Sequence, residues 1–218
     1  MTRILVIGAS SGIGKAVSRD LIARGHTVRA MSRSGGAPAA NTPALEIFRG
    51  DALIAEDVRK ALDGVETVVQ ALGVAPNLSM ITGPVTLFSE ATRVLLPTMQ
   101  EAGVSRLISV TGFGAGDCRR AVSPLQVIPF RAMLGRAYDD KTIQEDLITG
   151  SDLDWLIVRP GVLTNGPKTA KYKVLSAPDT WRNGIISRAD VADYIGSQIG
   201  ENPLGGRKPV LIRYCIPL

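Results

Sequence analysis

Residues 3–17, RILVIGASSGIGKAV, decide the fold of this chain. The apolar first half predicts a buried strand, and the helical spacing of apolar residues after it predicts a helix. Gly8, Gly12 and Gly14 lie at the junction, where glycine allows a tight turn, close approach of a ligand to the backbone and close packing of helix on strand. Free N–H groups and a positive dipole end favour an anion at such a helix start, so the stretch predicts a pyrophosphate cradle.

The same alternation of short apolar runs and helical patterns continues to the end of the 218 residues. Strands are predicted at 3–8, 26–33, 45–51, 66–73, 104–112, 153–161 and 208–215, and helices at 12–25, 55–64, 85–103, 137–150 and 187–200. This order predicts an α/β fold with a Rossmann-like, doubly wound, mostly parallel sheet. We expect one domain over 1–218, with a small substrate lid formed by the irregular segment 112–137 and by 163–185.

Composition narrows the class of partner. With 45% hydrophobic and 21% charged residues and a net charge of +5, the chain matches an ordinary soluble protein. Its basic residues are scattered, which disfavours nucleic acid and suits a phosphate-bearing small molecule. No apolar stretch has membrane-spanning length, and two cysteines make no disulfide framework, so we expect a cytoplasmic protein with free thiols. The single histidine, His26, excludes a multi-histidine metal site, and no metal is predicted. The oligomeric state stays open, and a monomer is compatible with the sequence.

The end of the second predicted strand bears on cofactor choice. Sites that prefer NAD place an acid there, about 20 residues after the glycines, to bond the ribose 2′-hydroxyl. This chain instead has Ser32, Arg33 and Ser34, a fixed cation between two hydroxyls. Such a set suits a 2′-phosphate, so the sequence predicts NADP(H) in preference to NAD(H). The alternative is that Arg33 is a solvated loop residue.

Several stretches together carry a family resemblance. They are the glycine stretch, RGDALIAEDVRKALDGVETVVQALG at 49–73, LISVTGFGAG at 107–116 and SDLDWLIVRPG at 151–161. Over nearly its full length the chain resembles the short-chain dehydrogenase/reductase superfamily. Its GxxxGxG spacing is that of the standard branch, whereas much of the rest resembles the atypical branch, which includes NmrA-like proteins and flavin/biliverdin reductases and usually shows GxxGxxG.

The resemblance implies further cofactor contacts. Asp51 would bond the adenine amino group with Ala52 beside the ring, 71–73 would line the adenosine ribose, and 160–162 would face the nicotinamide. The complete predicted cofactor set is Gly8, Ser10, Ser11, Gly12, Ile13, Gly14, Ser32, Arg33, Ser34, Asp51, Ala52, Ala71, Leu72, Gly73, Thr111, Lys141, Pro160, Gly161 and Val162.

Tyr138 and Lys141 raise the question of catalysis. The standard branch uses a Tyr as acid or base and a Lys four residues later that lowers the pKa of that Tyr. A spacing of three swings the two side chains by about 100° relative to that arrangement. Placing Lys141 at the usual position, as a ribose and carboxamide contact, puts Ala137 where the Tyr would be. Tyr138 is then expected at the pocket rim or surface, or as an ordinary helix residue. Thr111 takes the Ser/Thr position of the family, so the candidate catalytic residues are Thr111, Lys141 and Tyr138.

The substrate side is less specific. Phe113, Phe130, Met133 and Trp181 are candidate walls for a flat apolar ligand, with lid core as the alternative for each. The favoured function is NADP(H)-dependent hydride transfer to a flavin, quinone or similar flat acceptor, which needs no precisely placed acid. The alternatives are a non-catalytic NADP(H)-binding redox sensor, and a carbonyl dehydrogenase or epimerase that uses Tyr138.

Overall fold

The structure is a computed structural model that describes residues 1–36, 42–74, 83–122 and 124–216. Within the helix that begins at Pro124, side chains are described from residue 134 onward.

The described residues form a large mixed sheet, a small sheet and their flanking helices. The strands are β1 Arg3–Ile7, β2 Thr27–Ser32, β3 Leu45–Arg49, β4 Thr67–Gln70, β5 Arg106–Val110, β6 Asp154–Pro160, β7 Val162–Thr164, β8 Lys173–Leu175, β9 Gly184–Ser187, β10 Val210–Ile212 and β11 Tyr214–Cys215. The α-helices are α1 Gly12–Ala23, α2 Ala55–Leu62, α3 Leu87–Glu101, α4 Pro124–Thr149 and α5 Arg188–Gln198, and short 3₁₀ turns lie at Gly116–Ala121 and Pro178–Thr180.

The strand order of the large sheet confirms the predicted Rossmann-like fold. The order is β3-β2-β1-β4-β5-β6-β10-β8, with parallel pairing everywhere except between β10 and β8. The chain direction across the sheet reverses between β1 and β4, and ligands bind in doubly wound sheets at the carboxyl ends of the strands on either side of that point. A small sheet, β11-β9-β7, lies after the sixth strand.

The central strands are buried on both faces because helices cover both sides of the sheet. Ile4 and Val6 of β1 pack into a cluster with residues of α1 and α5. Leu5 and Ile7 point the other way, into a cluster with residues of α2, α3 and α4. The alternation along one strand therefore divides the core into two layers and holds the start of α1 at the end of β1.

Two segments differ from their predicted form. The helix α4 begins at Pro124 rather than at 137, so much of the expected irregular segment 112–137 is helical. Proline is tolerated at a helix start because its missing N–H needs no partner there, and the apolar run that follows has no clear helical period. The segment 163–185 holds β7 and β8 rather than loop alone. In the part of the chain that the structure describes, no helix is both long and apolar enough to cross a bilayer.

Candidate cofactor and substrate site

A cavity of about 810 Å³ lies at the carboxyl ends of β1, β2, β4 and β5. It lies where the strand order predicts a ligand crevice. The predicted site residues that line it are Gly8, Ser10, Ser11, Gly12, Ile13, Ser32, Arg33, Asp51, Ala52, Ala71, Leu72, Gly73, Thr111, Tyr138 and Lys141. The fold thus gathers residues from six separate parts of the sequence around one space, and their individual roles toward a cofactor remain predictions.

The turn after β1 has no room for side chains at two of its glycines. A Cβ atom on Gly8, whose φ is +87°, would lie 2.6 Å from the carbonyl oxygen of Ala71. A Cβ atom on Gly14 would collide with the carbonyl group of Gly8. Gly14 therefore allows α1 to pack closely against the end of β1 and does not itself line the cavity.

The start of α1 is left open toward the cavity. Ser11 is its N-cap residue and makes no side-chain capping bond, and the first turn contains no acidic residue. The first backbone N–H groups of a helix have no partner within the helix. Uncapped N–H groups at the positive end of the helix dipole are suited to bind a phosphate oxygen.

The end of β2 adds polar groups to the same cavity. The Ser32 hydroxyl is buried and has no hydrogen-bond partner among the described residues. Arg33 is exposed and lines the cavity, whereas Ser34 does not line it and accepts a hydrogen bond from the backbone N–H of Gly36 at 3.3 Å. A buried polar group without a protein partner is rare. Together with the cradle, Ser32 fits a polar ligand such as a dinucleotide.

Thr111 at the end of β5 is held by two residues of α4. Its hydroxyl donates to Oε1 of Glu145 at 2.6 Å, and its carbonyl oxygen accepts from Nζ of Lys141 at 2.6 Å. The residue is 3% exposed. The Thr111 hydroxyl therefore donates to a buried carboxylate, while the residue lines the cavity, and its catalytic role stays a prediction. Its carbonyl, by contrast, positions Lys141.

Lys141 is the cation at the apolar end of the cavity. Its Nζ lies 4.9 Å from the centroid of the Phe88 ring and 5.2 Å from that of Tyr138. Burial lowers the pKa of Lys141 to about 8, and the charge of Glu145 partly opposes this shift. The side chain is thus still mostly protonated at neutral pH and loses its charge in mildly alkaline solution.

Tyr138 lines the cavity and is half-buried, so it is not displaced to the surface. Its hydroxyl packs on the backbone at Gly112, where an added Cβ would lie 2.5 Å from Oη. Burial raises the pKa of Tyr138 to about 12, opposite to the lowered value that the standard branch requires. Ala137 also lines the cavity, four residues before Lys141, which is the placement that the shifted spacing predicts.

A buried ionic network behind Thr111 was missed by the sequence analysis. The guanidinium of Arg159 is fully buried and pairs with both Glu145 and Asp117, and Asp117 also pairs with Lys208 at 3.1 Å. The Arg159 guanidinium lies 5.0 Å from the ring centroid of Trp181. Arg159 lies in the stretch 151–161, which carries part of the resemblance, and the opposite charges of Glu145 and Arg159 on neighbouring predicted elements are the signal in the sequence that could have indicated this pair.

Phe113 and Trp181 do not line the cavity. Both are buried in a cluster with Cys118, Leu175 and residues of β10, beside the buried ionic network of Arg159. They are core of this region, which is the alternative that the sequence left open. Phe130 and Met133 lie on α4, but their side chains are outside the described residues. The apolar lining that the structure does describe at this end is Leu87, Phe88, Leu134 and Leu163.

In the turn after β6, the residue that reaches the cavity is not one of the three predicted cofactor contacts. None of Pro160, Gly161 and Val162 lines the cavity, whereas the next residue, Leu163, does. A Cβ atom on Gly161 would collide with the backbone of Gly184 in β9, so this glycine allows close packing of the small sheet. Val162 is 51% exposed. Leu163 is thus the residue of this turn that lines the cavity, and the nicotinamide contact of 160–162 stays a prediction.

Phe88 is held in place from another helix. Asp140 of α4 is buried, and its carboxylate accepts hydrogen bonds from the backbone N–H groups of Phe88 at 2.8 Å and Ser89 at 3.3 Å. This carboxylate closes the start of α3, which has no side-chain cap of its own. One helix thus supplies Lys141 and also fixes the ring beside it.

Arg188 is a further cation of the cavity, and the sequence analysis missed it. It is the first residue of α5, it is half-buried, and it lines the cavity. Its Nη1 donates to Oδ1 of Asn165 at 2.7 Å. The signal was its position directly after a strand, at the start of a helix.

Comparison with known proteins agrees with this site. A family model described as NAD(P)H-binding matches residues 8–202. The chain is 27% identical over 196 residues to the uncharacterized chloroplastic protein At2g34460 of Arabidopsis thaliana, covering 88% of this chain and 69% of that protein. It is 28% identical over 224 residues to the chloroplastic protein TIC 62 of Pisum sativum, covering 92% of this chain but only 40% of that protein.

A solved structure extends the similarity to whole chains. ChuY of Escherichia coli O157:H7, described as an anaerobilin reductase, superimposes with a TM-score of 0.81 at 28% identity, and the match covers 100% of both chains. The fold, the cavity and the family match therefore all point to the same class of ligand.

Proposed function

The chain belongs to the NAD(P)H-binding family, and we propose that it is an NADP(H)-dependent oxidoreductase that transfers hydride to a flat acceptor such as a flavin or quinone. The observation that carries the proposal is the cavity itself, which joins an open phosphate cradle at α1 to an apolar end around Lys141. The first suits a dinucleotide, and the second suits a planar conjugated ring.

The preference for NADP(H) rests on the end of β2. No carboxylate follows the strand there, and Ser32 and Arg33 both line the cavity. A guanidinium and a buried hydroxyl provide donors for a 2′-phosphate, and the end of β2 lacks the carboxylate that would accept from the 2′-hydroxyl of NAD(H).

In the proposed reaction the nicotinamide supplies a hydride, which carries two electrons to the acceptor. Lys141 would hold the nicotinamide ribose and carboxamide, and its position is set by the Thr111 carbonyl. Phe88 would form a wall against water. The proton that completes reduction would come from solvent water, because burial raises the pKa of Tyr138 to about 12.

The similarity to ChuY supports one further acceptor. That protein is described as an anaerobilin reductase and matches over its whole length. Anaerobilin therefore joins flavins and quinones in the set to be tested.

A non-catalytic NADP(H) sensor is the second candidate. It is favoured by the Thr111 hydroxyl, which is directed to Glu145, and by the raised pKa of Tyr138, since neither hydroxyl is then an activated proton donor. The same two observations disfavour a carbonyl dehydrogenase or epimerase that depends on Tyr138. The cytosol remains the proposed location, on the basis of the free thiols, although two plant relatives are chloroplastic.

The test combines binding with turnover. NADPH and NADH affinities are measured by fluorescence titration, and oxidation of each is followed with flavin, quinone and anaerobilin against a reaction without acceptor. Turnover with at least one acceptor supports the enzyme, whereas tight NADPH binding with no turnover on any acceptor supports the sensor.

Arg33→Ala tests the cofactor preference. A hydrogen bond to a charged group contributes about 1.5–3 kcal/mol, so the variant should lose about tenfold or more in NADPH affinity. NADH serves as the internal control because it lacks the 2′-phosphate. Equal losses for both cofactors would contradict the preference for NADP(H).

A further inference from the structure

The charges around the cavity are unbalanced. In the part of the chain that the structure describes, its ionisable lining apart from Tyr138 is three cations, Arg33, Lys141 and Arg188, and one acid, Asp51. The positive end of α1 adds to the cationic side. A cavity of this kind favours an anion in its interior, and the proposed roles of Arg33 and Lys141 leave Arg188 without an assigned ligand group.

Arg188 has no counter-charge among the side chains that the structure describes. Among the residues that the structure describes, no carboxylate lies within ion-pair distance of its guanidinium, although Asp190 is only two residues away on α5. The Asp190 carboxylate is hydrogen-bonded elsewhere, because it accepts from the backbone N–H groups of Thr169 and Ala170 at 2.6 and 2.9 Å. The partner that Arg188 does have, Asn165, is neutral.

The neutral partner orients the guanidinium without neutralising it. Asn165 follows β7, and Thr164 of β7 pairs with Ser187 directly before Arg188, so strand pairing brings the amide beside the guanidinium. The segment that carries Asn165 is tied down further along, because Lys168 pairs with Asp20 of α1 at 2.9 Å. Arg188 is therefore held in advance of binding, which reduces the entropy lost when a ligand binds.

We infer that Arg188 is an anion-binding residue of this cavity, which pairs its guanidinium with a phosphate or carboxylate of a bound ligand. Two sources can supply that group: the pyrophosphate of the dinucleotide, which would then lie between Arg188 and the open start of α1, or an anionic substituent of the acceptor. The inference rests on the proposed function for its ligands but not on turnover, because it is tested by binding.

The experiment compares Arg188→Ala and Arg188→Lys with wild type, and uses Arg182→Ala as the matched control. Arg182 is exposed, does not line the cavity and makes no hydrogen bond or ion pair among the described residues. NADPH affinity is measured by fluorescence titration. FMN and riboflavin, which share one ring system and differ by a phosphate, are titrated by flavin fluorescence in the presence of NADP⁺.

If the anionic group belongs to the cofactor, Arg188→Ala should weaken the binding of NADPH about tenfold. The affinities for FMN and riboflavin should then change alike and by less than about twofold. If the anionic group belongs to the acceptor, the affinity for FMN should fall about tenfold and the affinity for riboflavin should not. Arg188→Lys should lose less than the alanine variant in either case, because it keeps the charge but not the planar fork. Arg182→Ala should match wild type.

The inference is overturned if neither NADPH nor FMN affinity falls by more than about twofold, if FMN and riboflavin affinities both fall by about tenfold, or if Arg182→Ala has the same effect. Thermal denaturation of each variant checks folding. If Arg188→Ala does not fold, Asn165→Ala, which releases the guanidinium from its orienting bond, should weaken the same ligand by a smaller factor, and no change there counts against the inference. Absence of NADPH oxidation on every acceptor, with these binding changes intact, would defeat the proposed enzyme and leave this inference standing.

Discussion

Two charged regions lie on either side of Thr111, at the end of β5, and they differ in whether the protein itself supplies a carboxylate partner. Behind it, Arg159 is fully buried and paired with Glu145 and Asp117. In front of it, Lys141 faces the cavity, and a backbone carbonyl is its hydrogen-bond partner. A buried charge is tolerated where the protein supplies its partner. A lysine that lines a cavity and donates to one backbone carbonyl still has N–H donors for a ligand. We therefore assign the first region to folding and the second to binding.

Glu145→Ala should have the largest effect, and it should fall on stability. The substitution leaves the Arg159 guanidinium buried with Asp117 as its remaining carboxylate and removes the partner of the Thr111 hydroxyl. Breaking a buried pair in this way costs about 3–5 kcal/mol. The measurement is denaturant unfolding, with Glu56→Ala as the control, because Glu56 forms solvent-exposed ion pairs, which contribute little to stability. A loss below about 1 kcal/mol would remove the distinction between the two regions.

Lys141→Ala should instead affect binding. Loss of the cation should weaken NADPH binding or misplace the nicotinamide, lowering hydride transfer by about tenfold, or roughly 1.4 kcal/mol. Unfolding free energy should change by less than about 1 kcal/mol, because burial already disfavours the charged form of this side chain. NADPH titration checks the expected loss of binding, and denaturant unfolding of the same preparation checks that stability is retained. A variant that unfolds as readily as Glu145→Ala would place Lys141 in the structural region.

The pH dependence of binding should follow the Lys141 charge. Its pKa is lowered to about 8, so the ammonium is present below that pH and is lost above it. NADPH affinity of wild type should therefore fall by a few-fold, roughly three to ten times, as pH rises from about 7 to about 9. Lys141→Arg is the matched control, since guanidinium keeps its charge across this range. A wild-type profile as flat as that of the arginine variant would show that the cation does not assist binding.

Tyr138→Phe should have the smallest effect. The variant removes a hydroxyl that lies against Gly112 and whose pKa is raised to about 12. We expect kcat with the best acceptor to change by less than about threefold, whereas a true general acid contributes roughly a hundredfold or more. NADPH affinity, measured in parallel, separates a binding defect from a catalytic one. A collapse of kcat at unchanged affinity would favour the carbonyl dehydrogenase over the flavin or quinone reductase.

The local sequence pattern determined the fold and the part of the cavity that holds the predicted adenosine contacts. The run 3–17 combines a buried strand, glycines at a close approach and a helix start, and each of these features is readable within a few residues. The same holds for the end of β2, where the absence of an acid is a property of the sequence itself. These residues line the cavity because the order of strands and helices allows few other arrangements.

The tertiary structure alone decided the other half. That Thr111 turns its hydroxyl to Glu145, 34 residues away, and that Arg188 shares a cavity with the start of α1, depend on contacts between distant elements. Helical spacing places Lys141 and Glu145 one turn apart, but it does not say which one meets the cavity and which the buried Arg159. Side-chain direction across packed elements is set by the neighbours that fill the space, and a one-dimensional pattern does not contain those neighbours.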